Sequence, residues 1–234
     1  MTILEKFNFE FTGGNSASLP IQAHYAGVDG VNNRWLSKLA PAGTTGTFAA
    51  VKGGLVLSSE GSAPTRTTDE NGVPIMRFDG VDDRLRLSGL SGFSTITLVA
   101  RVNGSTDGTF DGIVHTGPTH ASRHSSVSTQ ARLVYAGASP VYPSTGNTTG
   151  PKYHVITLVR TATEGRWGID SLTGTITGGS STLHSEITLG RAAGTDYGAV
   201  DILEVLTWPT ALSVGQMGLV YAALKEHYGS ATVN

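Results

Sequence analysis

Three groups of side chains in this chain have the types and spacing to do chemistry. Asp79, Asp82 and Asp83 crowd one turn, and clustered carboxylate oxygens suit a calcium ion. Asp side chains also cap backbone N–H groups in such turns, which accounts for them equally well. Asp107 and Asp111 flank a Gly-containing loop and form a second calcium candidate. No other cofactor is expected. His115, His120 and His124 lie close together with Arg123 beside them. Imidazoles bind transition metals, but this spacing follows no known ligand pattern and also fits a solvated loop.

Hydrolysis of a glycosidic bond needs two carboxylates facing each other across roughly 5 to 9.5 Å. The nearest arrangement is Asp201-Ile202-Leu203-Glu204. On a regular strand, acids three apart leave opposite faces, so these read as solvent-facing charges or turn partners. No Gly-x-Ser-x-Gly elbow follows a strand and opens a helix. Gly178-Gly179 lacks the lysine and helix start of a phosphate loop. Aromatic rings offer a different chemistry, because they stack on the apolar faces of sugars. Trp35, Trp167 and Trp208 could all stack in this way; Trp208 reads as core, whereas Trp167 lies between Gly165 and Gly168 and is a surface candidate. Tyr135 and Tyr142 frame a long loop. With His115 and Arg132 as polar partners, Tyr135, Tyr142 and Trp167 form the candidate glycan-binding set.

The elements that must position these groups are mostly strands. Among 234 residues, Gly is abundant at 31 and charged residues are sparse at 15%. That composition favours short strands joined by small polar turns. Thr95–Val102 alternates Ile96, Leu98 and Ala100 against Thr95, Thr97, Val99 and Arg101. Residues 153–160, 166–170, 174–177, 186–190 and 200–208 continue the pattern without intervening helices, so antiparallel pairing is expected. Ile75 and Arg77 face away from Met76 and Phe78, while Leu85 and Leu87 oppose Arg84 and Arg86. Asp79-Gly80 between these runs predicts a tight hairpin with positive φ at Gly80. Residues 115–130 and 139–151 read as long loops. One helix is expected over residues 213–228. Ser213 and Gln216 fit a capping box, Met217, Val220, Tyr221, Leu224 and Tyr228 recur at helical spacing, and Gly229 is placed to end it in a left-handed conformation.

Net charge is −2 with no long basic run, so the electrostatic footprint of a nucleic-acid binder is missing. No apolar stretch approaches the roughly 18 residues needed to cross a bilayer. No cysteine is present, which excludes disulfides and thiolate metal sites. The first residues lack the apolar core of a signal peptide, and a domain of this size without disulfides fits assembly in a cytosol.

Several motifs, in order, resemble one superfamily. Phe78-Asp79-Gly80-Val81-Asp82-Asp83 resembles the signature corner of the LamG-like, concanavalin A-like jelly-roll superfamily. Ala63–Thr67 and Asn71–Pro74 resemble the lead-in of its bacteriophage members. Tyr153–Arg160, Ile187–Arg191, and Ile202–Leu206 followed by the helix through Gly229 resemble its later strands and closing helix. The resemblance implies an all-β fold: a two-sheet antiparallel jelly-roll sandwich with one C-terminal α-helix. It covers about residues 60–230. A single domain over residues 1–234 is expected, with residues 1–14 a candidate attachment strand or arm. Phe78, Asp79, Gly80 and Asp83 are expected to serve as structural turn residues.

The function expected on this basis is non-enzymatic: a virion-associated structural or adhesion protein of a bacteriophage, on the tail or capsid surface, contacting host-surface glycans. The alternatives are a capsid-decoration or minor tail protein without a ligand, and a glycan-active enzyme. Expected partners are other virion proteins and host-surface polysaccharide. Homo-oligomerisation, as a trimer for example, would multiply weak contacts.

Overall fold

The computed structural model describes residues 24–25, 28–90, 92–103, 110–117, 120–125, 130–134, 151–161, 163–177, 184–192, 196–230 and 232–234. Short strands come first: β1 (His24–Tyr25), β2 (Val28–Asp29), β3 (Asn33–Leu36), β4 (Gly43–Thr44), β5 (Thr47–Ala49) and β6 (Val56–Ser59). Next are β7 (Thr65–Thr68), β8 (Pro74–Asp79), β9 (Leu85–Leu87), β10 (Thr95–Val102), β11 (Phe110–Gly117), β12 (His120–Ser125) and β13 (Gln130–Val134). The last are β14 (His154–Arg160), β15 (Glu164–Ile169), β16 (Leu172–Thr177), β17 (Ile187–Leu189) and β18 (Ala199–Trp208), then helix α1 (Val214–Tyr228).

These strands build two large antiparallel sheets, as expected. A nine-stranded sheet runs β16-β15-β14-β10-β18-β8-β7-β4, with β3 also on β18; a seven-stranded sheet runs β13-β12-β11-β17-β9-β6-β5. Between them lies a core that includes Trp35, Phe48, Met76, Phe78, Leu85, Ile96, Leu98, Ile113, Ile156, Leu189 and Val205. The helix covers the outer face of the nine-stranded sheet. There Met217, Val220 and Leu224 pack with Ile75, Val99, Tyr153, Leu206 and Trp208. Central strand β10 is therefore buried on both faces, and its alternation divides its side chains between the two cores as expected.

The helix begins as its sequence predicts. Ser213 Oγ accepts from the Gln216 N–H at 3.3 Å, and Gln216 Oε1 accepts from the Ser213 N–H at 2.8 Å. Gly229 ends it with φ 82° and ψ 148°, a positive φ but outside the left-handed helical well.

Four expectations need correction. The segment from Ile75 to Leu87 is not a hairpin: β8 pairs with β7 and β18, whereas β9 pairs with β17 and β6. The turn carries the chain from one sheet to the other. Its local chemistry is as expected, with Gly80 at φ 81° and Asp79 Oδ1 accepting from the Val81 N–H at 2.8 Å. Asp83 Oδ2 accepts from the Asp79 N–H at 3.1 Å. Phe78 anchors the corner in the core, against Gly190 at φ 76°, where an added Cβ would meet the ring at 2.2 Å. Turn chemistry sets a local bend and does not choose which strands pair.

Second, residues 115–130 are not one loop, because β12 lies within them. Its sequence His-Ala-Ser-Arg-His-Ser lacks the apolar alternation that marks a half-buried strand.

Third, Asp201 and Glu204 are not solvent-facing; both are fully buried. Fourth, they share a face. On β18, Glu204 lies opposite Val99 and Ile202 opposite Ala100, so Leu203 is an extra residue, a β-bulge. The bulge resets the alternation. Ile202 and Val205 enter the inter-sheet core while Leu203 and Leu206 enter the core under the helix, and both acids leave on the helix side.

Candidate functional site

Among the described residues, a helix packs on the outer face of one sheet only. The nine-stranded sheet is covered by α1. On the seven-stranded sheet, the inward residues Leu85, Ile187 and Leu189 are fully buried, and strand alternation turns their neighbours outward. The register aligns Ser58, Arg86, Thr188 and His115 across four adjacent strands. Beside this row, on the face turned away from α1, charged side chains collect.

Arg86 is its hub. Its Nη2 donates to Glu186 Oε2 at 2.7 Å, and its Nη1 reaches both oxygens of Glu60 at 3.2 Å. Glu186 in turn binds His115 Nδ1 through Oε1 at 2.7 Å. Beyond Glu60, Arg84 Nη2 lies 3.6 Å from Glu60 Oε2, and Arg84 Nε donates to the Glu60 carbonyl. The row therefore reads Arg84, Glu60, Arg86, Glu186, His115, with donors and acceptors alternating. The Arg86 side chain is 36% exposed, and Glu186 and His115 are 15% exposed. Arg191, whose guanidinium lies 5.5 Å from the Tyr197 ring centroid, is near enough to act on His115 electrostatically.

Burial pushes the His115 imidazole below its ordinary value, against the pull of Glu186, and Arg191 and Arg86 reinforce the shift. Burial alone would raise the Glu186 carboxyl, but the Arg86 hydrogen bond and the His115 and Arg86 charges outweigh it and hold the group below the usual carboxylate range. An ionised Glu186 only accepts, so neutral His115 carries its proton on Nδ1. Its Nε2 is then an acceptor. The row thus offers a planar double donor at Arg86, a charged acceptor at Glu186 and a neutral acceptor at His115. Planar polar groups of this kind engage pairs of adjacent hydroxyls, with charge-assisted bonds the stronger ones.

Of the residues singled out in the sequence, the structure places His115 in this row. Arg132 is on β13, the edge strand of the same sheet, opposite Arg123 on β12; its side chain lies outside the described residues. The same holds for Asp111, opposite His124, and for the side chains of His120 and His124. Tyr135, Tyr142, Asp107 and the 139–150 part of the second loop also lie outside the described residues. Trp167 is elsewhere, on β15 of the other sheet. It is half-buried against the inter-sheet core and sits over Gly174, where a Cβ would come within 2.5 Å of the ring. Trp208 is fully buried, as read, and Trp35 is fully buried too, which rules it out as a stacking surface. Asp79, Asp82 and Asp83 bring carboxylate oxygens within 4.8 Å of one another, with Asp79 and Asp83 engaged by turn amides. Burial pushes the Asp83 carboxyl up.

Sequence reasoning missed Glu60 and Glu186. The outward face of Arg84 and Arg86 was readable, but their partners are 24 to 100 residues away.

No protein-family model matches the chain, and no curated relative matches it. Solved structures do resemble it in fold. A sialidase from Trypanosoma rangeli, in complex with the inhibitor DANA, aligns with TM-score 0.60 at 13% identity over 80% of this chain. The ligand-binding domain of botulinum neurotoxin serotype D, in complex with N-acetylneuraminic acid, aligns with TM-score 0.57 at 10% identity over 82% of the chain. The binding domain of botulinum neurotoxin DC, in complex with SialylT, aligns with TM-score 0.56 at 10% identity over 84% of the chain. The chain spans only 32%, 50% and 52% of those proteins' lengths. The likeness establishes a β-sandwich shared with glycan-binding and glycan-active proteins. It also corrects the expectation of a non-enzymatic protein, because sialidases are among the proteins that share the fold.

Proposed function

We propose that the face of the seven-stranded sheet turned away from α1 binds carbohydrate through Arg86, Glu186 and His115. The observation that carries this reading is the row itself: a part-exposed arginine, an ionised carboxylate and a neutral imidazole, hydrogen-bonded in series on the sheet face that the helix leaves open. Arg86 is the part-exposed member of the row, and each group is held in orientation by its neighbour. Fold neighbours that carry sialic acid in their structures make sialylated glycans the class to test first. Display of many copies on a phage virion is the setting that the sequence resemblance suggests, and there modest single-site affinity would be multiplied.

A glycan array probed with the purified protein tests the reading. The expected result is binding to a defined set of glycans that falls at least about tenfold in Arg86→Gln, the loss of one charge-assisted contact. Circular dichroism would show that the variant keeps its fold. Absence of binding to any glycan, or binding that survives Arg86→Gln unchanged, would overturn the proposal.

A further inference from the structure

The two carboxylates on Arg86 are not equivalent. Glu186 is held at 2.7 Å, is bonded on its other oxygen by His115, and is 15% exposed. Glu60 is held at 3.2 Å by both oxygens, lies 3.6 Å from Arg84, and is 41% exposed. Glu186 is locked in from two sides, whereas Glu60 is a long-range, solvent-facing partner.

The backbone of Glu60 is fixed independently of its carboxylate. Arg84 Nε donates to the Glu60 carbonyl, and the Arg84 N–H donates to the Ser62 carbonyl at 3.4 Å. The side chain is therefore free to rotate about its own bonds while Arg84 and Arg86 stay in place. An exposed ion pair of this kind contributes at most about 1 kcal/mol, which a ligand carboxylate with further contacts can outcompete.

We infer that Glu60 is a displaceable internal carboxylate, occupying on Arg84 and Arg86 the subsite that takes the carboxylate of an acidic sugar. This rests on the glycan reading above and extends it to a substrate class. When the ligand enters, its carboxylate replaces Glu60 between the two guanidinium groups, and its hydroxyls lie toward Glu186 and His115. Glu60 then sets the threshold for binding: a neutral sugar leaves it in place, and an acidic sugar must expel it. No covalent step is involved.

The test uses two probes, the methyl α-glycoside of N-acetylneuraminic acid and the C1 methyl ester of the same glycoside. They share their ring and hydroxyls and differ by one negative charge. Calorimetric titrations of the full chain and of Glu60→Gln give the ratio of acid to ester affinity. The expected result is a ratio above one that rises about threefold to fivefold in Glu60→Gln, the factor for losing one exposed competing ion pair. Detectable acid binding in Glu60→Gln alone supports the inference equally. Equal affinities for acid and ester, or a ratio unmoved in Glu60→Gln, would overturn it while leaving glycan binding intact. Binding of neutral glycans with no response to either sialoside has the same consequence. Failure of every glycan to bind either protein would overturn both proposals. A matching proton NMR spectrum establishes that Glu60→Gln is folded.

Discussion

The nine-stranded and seven-stranded sheets carry the same kinds of charged side chain on their outer faces and use them differently. Under the helix, Asp201 is fully buried and accepts from Arg77 at 2.8 and 2.9 Å and from Arg101 at 2.8 Å. Arg101 also binds Glu70 and lies 4.9 Å from the Tyr153 ring centroid. The Tyr153 hydroxyl donates to Asp69 at 2.9 Å. A second buried acid, Glu204, is held by Arg34 at 2.6 Å and by the helix residue Tyr228 at 2.7 Å. Glu70, 54% exposed, forms the solvent edge of this network. On the opposite outer face, Arg86 is part-exposed and Glu186 and His115 are hydrogen-bonded in series at 15% exposure. A buried charge must be satisfied completely or it costs several kcal/mol, so the covered network closes on itself. The part-exposed pair Arg86 and Glu60 bears no such requirement and stays accessible to a ligand.

The sharpest way to break this comparison is to remove one acid from each face. Asp201→Ala leaves Arg101 almost entirely buried without its innermost partner, and a loss of about 3–5 kcal/mol is expected. Glu186→Ala on the open face should cost about 1 kcal/mol or less, since water replaces the missing contacts. Urea unfolding of both variants measures the difference. Equal losses would show that the two networks do the same structural job.

The corner at Gly80 connects the faces, because it carries the chain from β8 in the covered sheet to β9 in the open one. With φ at 81°, an added Cβ would lie 2.7 Å from the Ala199 nitrogen. Gly80→Val should therefore destabilise by about 1–3 kcal/mol. It should also shift Arg84 and Arg86, weakening glycan binding more than Glu186→Ala weakens stability. An unchanged melting temperature would mean that the backbone relaxes at this corner without cost.

Much of this architecture is legible in the sequence where a pattern is local. The alternation of Thr95–Val102, the capping box at Ser213 and Gln216 and the positive φ at Gly80 are all set within a few residues. What depends on distant partners is not legible. The turn at Asp79-Gly80 looks like a hairpin because its bend is the same whether the flanking strands pair or part. The bulge at Leu203 leaves no mark in composition, yet it moves Glu204 to the other face. β12 is hidden because its polar residues mimic a loop. The outward face of Arg86 could be read from Leu85 and Leu87, but Glu60 and Glu186 reach it only once β6, β9 and β17 pair. The carboxylates that define the candidate site are those that no short window contains.

Proton uptake separates the faces more finely. Burial lowers the His115 pKa in the fold, so the unfolded chain, titrating near 6.5, binds the proton more tightly. The contribution of His115 is then complete above pH 6.5 and is lost as pH falls below it through the lowered folded value. At the solvent edge of the other network, the hydrogen bond from Arg101 holds the exposed Glu70 carboxyl down to about 2, against an ordinary 4.5. Its contribution stays complete down to pH 4.5 and is lost only between there and pH 2. The largely buried His115 therefore yields to acid before the exposed Glu70. Melting temperatures measured from pH 7 to 5 should fall less steeply in His115→Gln than in the parent protein. Glu70→Gln should flatten the curve only below pH 4.5. His227, also lowered by burial, leaves a residual slope in His115→Gln, so the difference between the curves is the quantity to read. Curves that superimpose from pH 7 to 5 would remove His115 as the acid-sensitive group of the open face, and with it the neutral Nε2 acceptor that the glycan reading requires.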